Sequence, residues 1–350
     1  MDSYQLSRQG VFAPFVGKQA RGLEIGPGYR PTFPKRDGFP TLVLDHCNTA
    51  DLIAKYTADS TIPDDLVAQI EAVDIVWTEG SYSALPGLSG GFDWVAASHV
   101  IEHAVDVCGF LKDCSALLKE GGYLLLAIPE RSCILDYYRP ASTLGDVLLA
   151  HVSPDAYDVK SRMDEAWYGA LLDGGGAWSM AHLEAATGAG RVPQPQHLPD
   201  LAEHVWATTA GRTVTSHPYR DAHRWVFDQS SFQELAHFLE LNAGTGLRVV
   251  SMPGMFECEF YAVLQKTAPL SSQRQELDAA RLAALTRRGP YRVASASVLD
   301  RSAGGFLSTS ATTSIARRRP GRFLGDLRRW LQKVSSLGTI AVSLLARSRS

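Results

Sequence analysis

Between Gly22 and Pro129, short apolar runs of β type alternate with helical patterns, and this alternation constrains the fold more than any other feature. The runs are Gly22–Ile25, Thr41–Asp45, Val73–Trp77, Phe92–Ala97 and Tyr123–Pro129. The fifth is almost wholly apolar, as a strand buried on both faces of a parallel sheet must be. Ahead of it, Val107, Phe110, Leu111, Cys114, Leu117 and Leu118 form one stripe of an amphipathic helix, with Gly121-Gly122 as its expected stop. Strand, helix, strand at this rhythm predicts an α/β domain: a mostly parallel sheet, right-handed crossovers and helices on both faces.

The rhythm breaks from about Glu130 to Trp225, where helical patches, Gly174–Gly176 and a proline-spaced stretch near Val192 replace any convincing strand. It resumes with a helix near Ser230–Leu241 and two further runs, Leu247–Met252 and Glu259–Leu264, the last read as an antiparallel hairpin partner. The expected organisation is a core of 1–129 and 226–267, an inserted substrate-binding lid of 130–225, and a helical and linker tail of 268–350. Arg317–Ser350 carries nine basic residues against one acid, Asp326. Within 322–346, Phe323, Leu327, Trp330, Leu331, Val334, Leu337, Ala341 and Leu345 share one helical face, and Arg322, Arg328, Arg329 and Lys333 the other. Such a helix suits an anionic membrane surface, or packing on a protein with its charges solvated.

Composition narrows the classes. A net charge of −3 gives no general case for a nucleic-acid partner. The five cysteines are odd in number and lack metal-ligand spacing, so they read as reduced thiols and the cytoplasm is the expected compartment, with peripheral attachment to the membrane's inner face through the tail. The N-terminus lacks a signal-peptide pattern, and no apolar run reaches the roughly 18 residues of a membrane span. Among the six histidines of the insertion region (His151, His182, His197, His204, His217 and His223), no pair shows the i, i+4 spacing of a helical metal site, so no metal is expected. The sequence sets no oligomeric state.

The most informative stretch is Leu23-Glu-Ile-Gly-Pro-Gly-Tyr29. Glycines where a strand runs into a turn let the backbone approach a ligand with no Cβ in the way. The dinucleotide fingerprint G-x-G-x-x-G fails at Pro31, which disfavours a nicotinamide-dependent oxidoreductase. An acid, Glu24, precedes the glycines; a second, Asp45, ends the next strand 17 residues beyond Gly28. A carboxylate there can accept both ribose hydroxyls of an adenosine whose other end lies on the glycine turn. Glu79-Gly80-Ser81 follows the third strand, where the adenine edge would lie, and Ser98-His99-Val-Ile-Glu102-His103 follows the fourth, where the reactive end would meet its substrate.

With these residues in order, LEIGPG, LVLDH, FDWVAASHVIEH and LLKEGGYLLLAIP, the chain resembles the class I S-adenosylmethionine-dependent methyltransferases of the type 11 group, which includes quinone-biosynthesis enzymes. The resemblance implies a Rossmann-like seven-stranded sheet and S-adenosyl-L-methionine as cofactor. Its implied contacts are Glu24, Gly26, Pro27, Gly28, Asp45, His46, Glu79, Gly80, Ser81, Ser98 and His99. The chain departs from the usual pattern at Arg30, where a third glycine is common, and at Glu79, in place of a glycine-aspartate pair. Pro34-Lys35, Asp136-Tyr-Tyr-Arg-Pro140, Asp221-x-His223-x-Trp225 and Cys258-Glu-Phe-Tyr261 further resemble bacterial methyltransferases encoded among polysaccharide genes. That implies a sugar hydroxyl of a glycan or glycolipid as acceptor; a small-molecule acceptor and a catalytically silent, membrane-associated adaptor are the alternatives. His103 and His223 are the candidate bases, with Asp221 the candidate orienter of His223.

Overall fold

The computed structural model describes residues 2–195 and 222–267. The chain divides into two compact units, Met1–Arg288 and Gly289–Ser350. The second unit, including the expected helix at 322–346, lies outside the described residues, as do Asp221 and 196–220 of the expected lid.

Helix α1 (Ser3–Phe12) opens the chain and is followed by β1 (Gly22–Ile25), β2 (Thr41–Asp45), α2 (Thr49–Thr57), α3 (Asp64–Val67), β3 (Ile75–Val76) and β4 (Phe92–Ser98). Next come α4 (Val107–Leu117), β5 (Leu118–Pro129), α5 (Leu144–Val152), α6 (Pro154–Tyr168), β6 (Ala170–Leu171), α7 (Met180–Gly188) and β7 (Gln194–Pro195). The described part closes with α8 (Gln229–Asn242), β8 (Leu247–Phe256) and β9 (Glu259–Lys266).

Seven strands form one sheet in the order β3-β2-β1-β4-β5-β9-β8. The first five are mutually parallel, and β9 enters antiparallel between β5 and β8. This is the expected α/β architecture. Strand side chains alternate between the two faces. Leu23, Ile25, Val95, Ala97, Leu124, Leu126, Phe260 and Ala262 join one buried cluster, which also takes in Phe110 and Leu111 of α4 and Phe232 and Leu235 of α8. Trp94, Ala96, Leu125, Ala127, Tyr261 and Val263 join the other, where Phe12 of α1 packs.

Three local expectations are corrected. The third strand shrinks to Ile75–Val76. Helix α4 ends at Leu117, before the glycine pair, and Gly121 and Gly122 lie inside β5. Gly121 takes φ +78°, and the register between β4 and β5 slips between Phe92 and Trp94, so the pair serves a strand irregularity rather than a helix stop. The insertion is not strand-free: β6 and β7 pair antiparallel, though each is only two residues long. Among the described residues, no helix is long and apolar enough to cross a membrane.

Candidate active site

The parallel strands end at a cavity of about 580 Å³. Its lining follows the strand order: Trp77 and Thr78 beyond β3, Asp45 and His46 at β2, Ile25 and Gly26 at β1, and His99, Val100, His103 and Ala104 beyond β4. Open α/β sheets bind ligands at such a place, outside the carboxyl ends of the strands.

The glycine turn is backbone-limited. Gly26 and Gly28 hold φ of +59° and +53°, a region that admits glycine without strain. A Cβ on Gly26 would stand 3.1 Å from Val100 Cγ2, and one on Gly28 would stand 2.9 Å from the Tyr56 hydroxyl. Glu24 does not line the cavity. It is buried and accepts from the backbone N–H of Thr32 at 2.5 Å and of Phe33 at 3.4 Å, fixing the return of the turn. Burial pushes its carboxyl up in pKa, and the Thr32 and Phe33 donors oppose that only in part. Asp45 stands at the end of β2, where its Oδ1 accepts from His46 N at 2.7 Å and from His46 Nδ1 at 2.6 Å.

Beyond β3 the expected Glu79, Gly80 and Ser81 are not among the lining residues. Ser81 donates to Asp113 and caps a short turn instead. The wall there is aromatic: Trp77 and Tyr82 meet with ring centroids 4.7 Å apart, and Tyr82 and Phe110 at 6.2 Å. Lys55 and Tyr56 of α2 complete the lining on that side. Sequence reading missed all five. Trp77 ends a strand run and was within reach of it, but nothing in the pattern of α2 separates Lys55 and Tyr56 from solvent-facing neighbours.

Beyond β4 the chain bends sharply. His99 holds φ +53°, unusual for a side chain larger than glycine, while its N–H donates to Ala127 O at 2.9 Å. Its Nε2 donates to Glu259 Oε2 at 2.8 Å. Glu259 also receives Arg8 in a two-pronged pair at 2.9 and 2.6 Å, fully buried at the junction of α1, β4 and β9. Burial would raise its pKa, but the His99 and Arg8 donors outweigh it and hold the carboxyl at about 2. Ser98, the last residue of β4, does not line the cavity.

Glu102 and His103 follow on a single turn of 3₁₀ helix. Glu102 is fully buried, and among the described residues neither carboxylate oxygen has a hydrogen-bond partner. Histidines surround it: Oε1 lies 3.6 Å from His99 Nδ1 and 3.7 Å from His103 Nε2. The His103 ring meets that of His223 with centroids 5.0 Å apart. His223 Nδ1 donates to Asp136 Oδ2 at 2.6 Å, and Arg139 holds the other oxygen of Asp136 at 2.6 Å. Burial works against protonation of His223, yet the Asp136 carboxylate prevails and raises its pKa to about 9. Thus His103 and His223, both singled out in the sequence, come together; among the described residues the carboxylate bonded to His223 is Asp136, while Asp221 lies outside them.

The site suits a nucleoside cofactor: a carboxylate at the end of β2, an open glycine turn at the end of β1 and aromatic rings beyond β3. A parallel sheet with an antiparallel seventh strand, bearing this site, defines a Rossmann-like transferase domain. The family model described as a methyltransferase domain matches residues 6–243, and the chain belongs to that family. S-adenosylmethionine is accordingly its cofactor. A ubiquinone biosynthesis O-methyltransferase from Methylocella silvestris is 35% identical over 65 residues, 19% of this chain and 25% of that protein. The match therefore spans only a quarter of that relative's length. Among solved structures, the chain is similar to a methyltransferase from Aquifex aeolicus (11% identical, TM-score 0.37, 76% of this chain and 94% of that one). It is also similar to one from Thermotoga maritima (13% identical, TM-score 0.34, 75% and 89%).

Proposed function

We propose that the enzyme methylates a hydroxyl oxygen, and that the acceptor is a sugar hydroxyl of a glycan or glycolipid. The observation that carries oxygen as the acceptor atom is the cluster of Glu102, His103 and His223, across the glycine turn from Asp45. A protonated hydroxyl is a poor nucleophile, and a base of this cluster at the cavity edge can take up its proton, whereas His223, paired with Asp136, already holds one. His103 is the member that lines the cavity. The sulfonium of the bound cofactor supplies the electrophile. The chain has to hold the acceptor oxygen behind the methyl group and keep water out.

In the same reading, Gly26, Gly28 and Asp45 hold the cofactor, and 130–225 is the acceptor lid. Bonds from the end of that insertion to the turn after β4 support the lid. Arg224 N and Trp225 N both donate to Glu102 O, at 2.8 and 3.0 Å, and Arg224 itself lines the cavity. The sugar acceptor rests on the resemblance to polysaccharide-cluster methyltransferases. Two of the motifs quoted for it supply Asp136 to His223 and Glu259 to His99. The partial match to a ubiquinone biosynthesis O-methyltransferase favours a second reading, a phenolic small-molecule acceptor. Labelled S-adenosylmethionine with a panel of bacterial glycans, glycolipids and phenols separates the two. Label in carbohydrate is expected, and label confined to phenols overturns the sugar acceptor. The basic segment Arg317–Ser350 supports attachment to an anionic membrane surface, where a glycolipid acceptor would lie.

A further inference from the structure

A fully buried carboxylate without a hydrogen-bond partner carries a desolvation cost that native structures normally offset. Glu102 is such a group among the described residues, and imidazoles surround it rather than donors at bonding distance. One ligand atom from each of Glu102, His103 and His223 lies within 4.8 Å of the others. Bonds of about 2.0–2.2 Å to a tetrahedral ion put neighbouring ligands roughly 3.3 Å apart, so small side-chain rotations would close the set. The second nitrogen of each histidine is already held: His223 Nδ1 by Asp136 at 2.6 Å, and His103 Nδ1 by the backbone carbonyl of Ala222 at 3.2 Å. Metal-bound histidines are typically oriented in this way, by a carboxylate or carbonyl on the far side of the ring.

We infer that Glu102, His103 and His223 form a binding site for a divalent transition-metal ion beside the cofactor cavity. Two imidazoles and one carboxylate favour zinc or a neighbouring first-row ion over magnesium or calcium. Three protein ligands leave a position open, as in catalytic rather than structural sites. His103 borders the cavity, so a hydroxyl-bearing acceptor can share the ion, which lowers the pKa of the hydroxyl. With the ion bound, both His103 nitrogens are engaged, and the hydroxyl proton leaves to solvent rather than to His103. That last role rests on the proposed hydroxyl acceptor.

Full-length protein freed of metal with a chelator is titrated with zinc chloride by calorimetry, and separately with S-adenosylmethionine. A tight one-to-one zinc event is expected. Glu102→Gln should abolish it and Asp136→Asn should weaken it about ten- to a hundredfold, with cofactor affinity unchanged in both. The other compact group of metal-ligating type among the described residues, Asp106, Cys108 and His151, is untouched, so zinc held there would persist in the variants. If Glu102→Gln does not fold, cobalt substitutes as the probe: wild type should show a visible absorption band that His223→Gln removes. No zinc event in wild type, or the same event in folded variants, overturns the site. Zinc bound at the cluster by an enzyme that methylates only nitrogen would defeat the hydroxyl reading and leave the ion site standing.

Discussion

His223 Nδ1 lies 2.6 Å from Asp136 Oδ2, a contact between residues 87 positions apart. One belongs to the segment just after β5 and the other to the return of the insertion. Their pairing brings His223 to His103 at the cavity edge. Asp136 is itself fully buried and held by Arg139, so the imidazole has a fixed partner rather than a choice of rotamers.

Asp45→Ala should weaken S-adenosylmethionine binding at least tenfold. Charge-assisted hydrogen bonds contribute roughly 1.5–3 kcal/mol each, and Asp45 is the carboxylate at the end of β2 that borders the cavity. Calorimetry on a variant shown to be folded checks it, and unchanged affinity would remove Asp45 from the cofactor site.

Gly28→Ala should cost stability and cofactor affinity together. The φ of +53° strains any L side chain by about 1–2 kcal/mol, and the added Cβ would meet the Tyr56 hydroxyl at 2.9 Å. A thermal melt falling by a few degrees, with weaker cofactor binding at a temperature where the variant is folded, is the expected pair of results.

Replacing His103 with alanine should lower turnover about a hundredfold or more while the cofactor still binds normally. His103 borders the cavity from the side away from Asp45 and belongs to the proposed acceptor end. Single-turnover rates beside a cofactor titration make the test. Near wild-type turnover would mean that the proton leaves by another route.

Glu259 makes stability fall in acid. Its folded pKa of about 2 lies below the unfolded value near 4.3, so its contribution is fully present above about pH 4.5 and is lost as pH falls toward 2. The contribution is on the order of 3 kcal/mol. Glu259→Gln also leaves Arg8 buried without its countercharge, so it should cost about 3–5 kcal/mol at neutral pH. Denaturant midpoints of wild type and variant should converge as pH falls from about 5 to 2; a constant gap would mean that Glu259 is not the titrating group.

Deleting Arg317–Ser350 should leave cofactor affinity intact while reducing sedimentation with anionic vesicles at low salt, since the segment concentrates nine basic residues. If the full-length protein ignores such vesicles, the membrane reading fails.

By itself the sequence determined the sheet, the glycine turn and Asp45, because each depends on neighbours a few positions away. Period-two burial marks a strand, and a glycine between strand and helix marks a turn. The same local logic explains the errors: Gly121-Gly122 has the composition of a helix stop, and only the pairing of β5 with β4 turned it into a strand irregularity. Glu24 and Asp45 are both acids at strand ends in sequence, but the backbone return through Thr32 and Phe33 claims one and leaves the other at the cavity. Only the tertiary structure decided the far side of the site. Asp136 with His223, Glu259 with His99 and Arg8, and His223 beside His103 are pairings of residues from segments far apart in the chain. Such pairings depend on how the insertion and β9 return to the sheet, which no local periodicity records.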